Sequence, residues 1–98
     1  MKQTIPTEIE ARAVKPYTLY LLECKGGSFY AGIAVDVHKR FAQHCAGKGA
    51  AYTRARPPVR ILGHCEFPTR SDALKAEYAV KQLPKGRKLA FIQSRALQ

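Results

Sequence analysis

Acidic residues are scarce in this chain. Seven Asp and Glu stand against 17 Lys and Arg in 98 residues, a formal net charge of +10. From Val37 to Cys65 there is no acidic residue at all, while six basic ones fall there: Lys39, Arg40, Lys48, Arg54, Arg56 and Arg60. Such an imbalance points to a polyanionic partner, and nucleic acid is the commonest one. The plainer alternative is a basic protein at a ribosome or membrane surface.

Long apolar runs are also missing. None approaches the roughly 20 residues that span a bilayer, so a membrane partner is not expected. The opening residues carry Glu8 and Glu10 and lack the apolar core of a signal peptide. Cysteine is sparse: Cys24, Cys45 and Cys65, an odd number with no C-x-x-C pair. That argues against a disulfide framework and fits a reducing cytoplasm. The pairs His44-Cys45 and His64-Cys65 do not have zinc spacing, since structural zinc ligands usually stand about two to four residues apart. Neighbours on a helix point about 100° apart, which keeps His44 and Cys45 from converging on one ion. Small buried thiols in strands and helix are the expected outcome.

What remains is a single domain. Its composition, 46% hydrophobic and 24% charged, is ordinary for a globular fold. Residues 1–16, with Pro6 and Pro16, read as an extension, and residues 17–98 as the core. Tyr17 to Glu23 and Ser28 to Ala34 read as strands of a hairpin closed by Gly26-Gly27. Leu19 and Leu21 alternate with Tyr20 and Leu22, so both faces of the sheet are expected to be covered. Asp36 is a good N-cap for a helix from Val37 to Ala46, ended by Gly47. Gly47 to Pro58 reads as a basic loop without the spacing of a P-loop. Val59 to Phe67 reads as a third strand, and Thr69 with Asp72 opens a helix from Arg70 to Leu83. A short last helix is expected from Lys85 to Leu97, with Leu89, Phe91 and Ile92 inward.

Three groups in this outline carry chemistry. Tyr20 and Tyr30 lie on the two hairpin strands. Arg40 and His44 lie one turn apart on one face of the following helix, with Val37 and Phe41. Glu77 is the one plausible catalytic carboxylate on a packed element. Phosphodiester hydrolysis needs a positioned nucleophile, cationic stabilisation of the transition state and usually a divalent metal. Magnesium often takes only one or two protein carboxylates, so Glu77 alone is chemically adequate. Arg40 offers a rigid fork for phosphate, and His44 can orient or shuttle a proton. Tyr20 or Tyr30 can help deprotonate water if nearby cations lower its pKa. The bland alternative makes Glu77 the i, i+4 partner of Lys81.

The order strand-Tyr, turn, strand-Tyr-x-Gly, helix-Arg, helix-Glu resembles the GIY-YIG nuclease superfamily. The name-giving triplets read Thr18-Leu19-Tyr20 and Tyr30-Ala31-Gly32. The segments Gly47-Lys48-Gly49-Ala50-Ala51-Tyr52-Thr53-Arg54 and Ala76-Glu77-Tyr78-Ala79-Val80-Lys81 are similar to the small stand-alone bacterial branch, the YhbQ-like proteins. Thr18, Leu19 and Ala31 depart from the family pattern, and these changes touch packing more than chemistry.

The resemblance implies an α/β domain of the α+β type, a three-stranded antiparallel sheet flanked by helices. It also implies cleavage of DNA with Mg2+ or Mn2+. It assigns Tyr20 and Tyr30 to water activation and phosphate contact, Arg40 to charge stabilisation, His44 to support and Glu77 to the metal. Lys39, Lys48, Arg54, Arg56 and Arg60 are the expected nucleic-acid contacts. Cutting is expected to be structure-selective or weakly sequence-selective, because phosphate contacts position a nucleic acid without reading its bases. DNA repair or recombination is the setting this suggests, in a cytoplasmic monomer. RNA as substrate stays open. A non-catalytic nucleic-acid-binding module with the same fold is the rival reading, and a protein-binding adaptor is the third.

Overall fold

The computed structural model describes residues 15–96. The expected extension therefore lies outside the described residues, apart from Lys15 and Pro16. The elements follow in the order β1 (Tyr17–Cys24), β2 (Phe29–Ala34), α1 (Val37–Cys45), α2 (Ala51–Ala55), β3 (Pro58–Phe67), α3 (Arg70–Lys81) and α4 (Lys85–Ala96). The strands form one antiparallel sheet in the order β2-β1-β3.

β1 takes the centre because its successive residues are apolar on both sides. Leu19, Tyr20, Leu21 and Leu22 are all essentially without solvent exposure. Alternate side chains of a strand point to opposite faces, and only a strand covered on both faces tolerates such a run. Leu19 and Leu21 join Ala31, Cys65, Ala76, Val80 and Ile92 on one face, beneath α3 and α4. Tyr20, Leu22 and Cys24 join Val37 on the other, with Tyr30, Phe41 and Ile61 partly buried against them. Each fully buried leucine contributes about 1.5–3 kcal/mol. The sheet is thus a partition, with an aliphatic core on one side and a mixed, chemically equipped layer on the other.

The turns are set locally. Gly26 and Gly27 both have φ near +90°, a region open to glycine and strained for other residues. Asp36 caps α1 by accepting from the Lys39 N–H at 3.0 Å. Gly47, at φ +77°, follows the end of α1. Thr69 Oγ1 accepts from the Asp72 N–H at 3.0 Å and starts α3. The last carbonyls of α3 are closed by Lys88, whose Nζ donates to Val80 O at 2.9 Å and to Lys81 O at 3.3 Å, a cation at the negative helix end.

Two expectations need correction. The Gly47–Pro58 stretch is not wholly loop, since it contains the five-residue helix α2. Its N-cap, Ala50, makes no side-chain cap bond, and five residues are too few for a periodic apolar signal. What holds it is a tertiary contact from Thr53, described below. Cys45 is exposed rather than buried, while Cys24 and Cys65 are buried. His44, one residue before Cys45, points into the core, so Cys45 must point out. The last helix runs over Lys85–Ala96, where the sequence places it, and Leu97 lies outside the described residues. No helix among the described residues is long and apolar enough to cross a membrane.

Candidate active site

Tyr20 and Tyr30 are brought to the same face by the β1–β2 register. Tyr20 lies opposite Gly32, and Leu22 opposite Tyr30, so both phenols share the side of the sheet that α1 covers. Gly32 is required by this arrangement, because a Cβ there would collide with the Tyr20 ring and hydroxyl. The third residue of the second triplet is therefore a space for the tyrosine of the first.

His44 joins the two phenols. It is fully buried. Its Nε2 lies 2.9 Å from the Tyr20 hydroxyl, and its Nδ1 lies 2.7 Å from Thr53 Oγ1. Thr53, also fully buried, donates its own proton to Ala50 O at 2.9 Å. The Tyr30 ring meets the His44 ring edge-on at 5.4 Å. Tyr52, exposed on α2, stacks on Tyr30 at 5.7 Å. Gly49 passes against the imidazole so closely that a Cβ would collide with Nδ1.

Arg40 reaches the same place from α1. Its Nη1 donates to Gln43 Oε1 at 3.0 Å, and a guanidinium has five donors in all. Its charge acts on both Tyr20 and His44. Burial, helped by Arg40, holds His44 below its usual pKa, so the imidazole is neutral at pH 7. Burial pushes the Tyr20 phenol up to about 12, with Tyr30 adding to the rise and Arg40 opposing it. The condition for water deprotonation, a phenol lowered by nearby cations, is therefore not met at Tyr20. One guanidinium does not offset the loss of solvent around a buried phenol.

Glu77 comes from α3, which buries Ala76 and Val80 against the opposite face of the sheet. Its carboxylate pairs with Lys81 at 3.3 Å and keeps 19% of its side-chain exposure. The Lys81 ammonium sits 5.4 Å from the centre of the Tyr30 ring, and the Glu77 charge acts on Tyr20. α3 thus packs across the sheet with its apolar stripe inward and Lys81 beside Tyr30. All five candidate residues gather in one neighbourhood. Tyr20 and His44 are buried, while Tyr30, Arg40 and Glu77 are half-buried.

The expected nucleic-acid contacts are less uniform. Lys39, Lys48, Arg54 and Arg56 are exposed. Arg54 Nη1 donates to Gly49 O at 3.0 Å, beside the His44 clasp. Arg56 lies near Gly26, by the hairpin turn. Arg60, also exposed, donates Nε to Glu23 at 2.6 Å, its cross-strand partner in the register.

Thr53, Gly49, Tyr52 and the reach of Lys81 to Tyr30 are not visible in the sequence as site features. The signal that was available is the glycine pair of Gly47-Lys48-Gly49, since a second glycine two residues past a helix stop often marks a close approach.

Among the described residues, the carboxylate whose charge acts at this site from α3 is Glu77. Among the described residues no group of three or more His, Cys, Asp and Glu converges. One partly exposed carboxylate fits a hard cation that keeps most of its water, as magnesium does. It does not fit zinc or calcium, which need more protein donors.

Comparison with known proteins shows the family. A UPF0213 protein of Cupriavidus pinatubonensis is 58% identical over 77 residues, covering 79% of this chain and 86% of the relative. A UPF0213 protein of Halobacterium salinarum is 43% identical over 73 residues, covering 74% and 95%. The solution structure of the protein EF2693 from E. faecalis superposes with a TM-score of 0.59 at 37% identity, covering 86% of this chain and 90% of that one. That of the UPF0213 protein BH0048 from Bacillus halodurans gives 0.50 at 40% identity, covering 83% and 86%. Residues 16–89 match the model of the GIY-YIG catalytic domain, a span that holds both tyrosines, Arg40, His44 and Glu77, and the chain belongs to the GIY-YIG family.

Proposed function

We propose that this chain is a divalent-metal-dependent endonuclease that hydrolyses phosphodiester bonds in DNA with little sequence selectivity. The family is one of nucleases. The observation that carries the reading is the convergence of Arg40 and Glu77 on a pair of phenols held by one buried imidazole. A structural histidine alone has no use for that company of charges.

Exposure divides the work. Tyr30, Arg40 and Glu77 are half-buried and within a substrate's reach, whereas Tyr20 and His44 are enclosed. Tyr30 takes the hydrogen bond of the attacking water. Arg40 holds a phosphate oxygen and meets the charge that grows on it, where an aimed donor is worth about 3–4 kcal/mol. Tyr20 keeps its proton at neutral pH and orients rather than deprotonates. Glu77 would hold magnesium, which supplies Lewis-acid charge to the phosphate when bound. Lys81 competes for that carboxylate in the free protein and swings to a neighbouring phosphate when it is displaced. The net reaction adds one water across one P–O bond, its oxygen to phosphorus and one proton to the departing oxygen. Repair or recombination is the cellular setting that suits cutting with little sequence selectivity.

The deciding experiment incubates the protein with single-stranded, duplex and branched DNA, and with RNA, with and without magnesium. Metal-dependent cuts in DNA that vanish in Arg40→Ala support the reading. Tight binding without cutting favours the non-catalytic binder, for which the closed Glu77–Lys81 pair would be the native state.

A further inference from the structure

Four hydrogen-bonding groups in the interior form a chain that can run in only one direction. Ala50 O can only accept, so the Thr53 hydroxyl proton is spent on it. Thr53 Oγ1 then has only lone pairs left for His44, 2.7 Å away, so Nδ1 must carry a proton. A neutral imidazole has a single N–H, which leaves Nε2 as a bare acceptor. The Tyr20 hydroxyl, 2.9 Å from Nε2, must therefore donate to it.

We infer that Thr53 is the positioning residue of this site, selecting the Nδ1–H tautomer of His44 and, through it, the direction of the Tyr20 proton. This rests on the site described under Proposed function, but not on its chemistry being nucleolytic. The consequence falls on Arg40. With its proton turned to His44, the Tyr20 oxygen presents lone pairs to its other neighbours, and a guanidinium can only donate. With the opposite tautomer, Nε2–H would fill the Tyr20 oxygen and turn the phenol proton toward the Arg40 cation. The wrong direction pushes away the group that must face the phosphate.

The surroundings are built for this role. Thr53 is fully buried and touches no solvent, so it acts through His44 rather than on a substrate. Gly49 leaves room for the imidazole at Nδ1. The segment from Gly49 to Thr53 is therefore a clasp, with a glycine for space, the Ala50 carbonyl for polarity and the Thr53 hydroxyl as relay. The low pKa of His44 keeps the ring in the neutral form to which a tautomer choice applies.

The test is a long-range proton–nitrogen NMR spectrum of the 15N-labelled full chain, read at the His44 ring. Wild type is expected to show a protonated Nδ1 and an unprotonated Nε2. Thr53→Val keeps the shape, loses the relay and is expected to show a mixed or Nε2–H ring, while Thr53→Ser keeps the wild-type pattern. On a DNA substrate, Thr53→Val should lower kcat by about 10- to 100-fold with KM unchanged, and Thr53→Ser should restore it. An Nε2–H ring in wild type overturns the inference. So does an unchanged tautomer in Thr53→Val, a Thr53→Ser protein that behaves like Thr53→Val, or an altered tautomer with undiminished kcat. If Thr53→Val does not fold, the wild-type and Thr53→Ser spectra still decide. If wild type cuts nothing, the ring spectra judge the inference separately from the nuclease reading.

Discussion

Tyr20 and His44, 24 positions apart in the chain, are joined by a buried hydrogen bond of 2.9 Å, with their rings tilted 58° to one another. Tyr20 comes from the central strand and His44 from the helix that covers it, so the bond ties the sheet to α1 at the site. Each partner's ionisation is resisted by the same enclosure, in opposite directions on the pH scale. Burial raises the phenol to about 12 and lowers the imidazole from 6.5. The pair is therefore neutral across the physiological range, and a substrate meets a fixed framework rather than a titrating one.

The first prediction concerns that phenol. The chain has five tyrosines, and in a spectrophotometric titration Tyr20 should ionise late, near 12. Because its folded pKa lies above the usual 10.0 of a tyrosine, its share of stability is full below 10 and is lost as pH rises toward 12. Tyr20→Phe should remove the late step and cost about 1–3 kcal/mol by leaving His44 Nε2 without its partner. A late step that survives in Tyr20→Phe would assign it to another tyrosine.

The second concerns acid. The folded pKa of His44 is depressed, so the unfolded chain takes up its proton first as pH falls. The contribution is present above 6.5 and declines as pH drops through that value toward the lower folded pKa. Thermal melts on both sides of 6.5 should show wild type losing stability on the acid side, and His44→Gln losing less. Equal losses in both proteins would show that other groups set the acid limit.

Arg40→Ala should lower the rate of DNA cleavage by about 3–4 kcal/mol of transition-state stabilisation and leave the fold intact. Its hydrogen bond to Gln43 is local to α1, and the Tyr20–His44 bond beside it has its own donor and acceptor. Arg40→Lys should also fail substantially, because a point charge cannot reproduce the planar fork. Single-turnover rates with circular dichroism on the same samples give the answer. Wild-type rates in either variant would move the site elsewhere.

Glu77→Gln should abolish magnesium-dependent nicking and keep or strengthen DNA binding. The substitution preserves shape and removes one negative charge near the phosphate. If Glu77 serves only as the partner of Lys81, nicking should persist and stability should change by about 0.3–0.5 kcal/mol. Nicking and affinity measured on one preparation separate the two outcomes.

DNA affinity should fall steeply with salt, each phosphate contact contributing about −0.9 to the slope of log K against log salt on duplex DNA. Lys48→Ala and Arg54→Ala should each flatten that slope. Arg60→Ala should change it less, since Arg60 is already paired with Glu23. A larger effect at Arg60 than at Arg54 would mean that DNA crosses β3 instead of the His44 clasp.

The sequence by itself determined the parts whose signals are local. The Gly26-Gly27 turn, the Asp36 and Thr69 caps and the doubly apolar strand Leu19–Leu22 all depend on neighbours within a few residues, and all stand where the pattern placed them. The candidate residues were legible too, because Tyr20, Tyr30 and Arg40 recur at a fixed spacing and Glu77 is a carboxylate on a packing helix. Tertiary structure alone decided their states. Whether Tyr20 is a phenol or a phenolate depends on how much water α1 and the sheet exclude, and no local pattern carries that quantity. α2 and Thr53 were hidden for a related reason. Five residues form a helix there because Thr53 bonds to a histidine nine positions back, an interaction that exists only once α1 has folded over β1. The Arg60–Glu23 pair was hidden in the sequence since the two are 37 positions apart and meet only through the β1–β3 register. Charge is written in the sequence, but its availability to a ligand is set by what the fold places beside it.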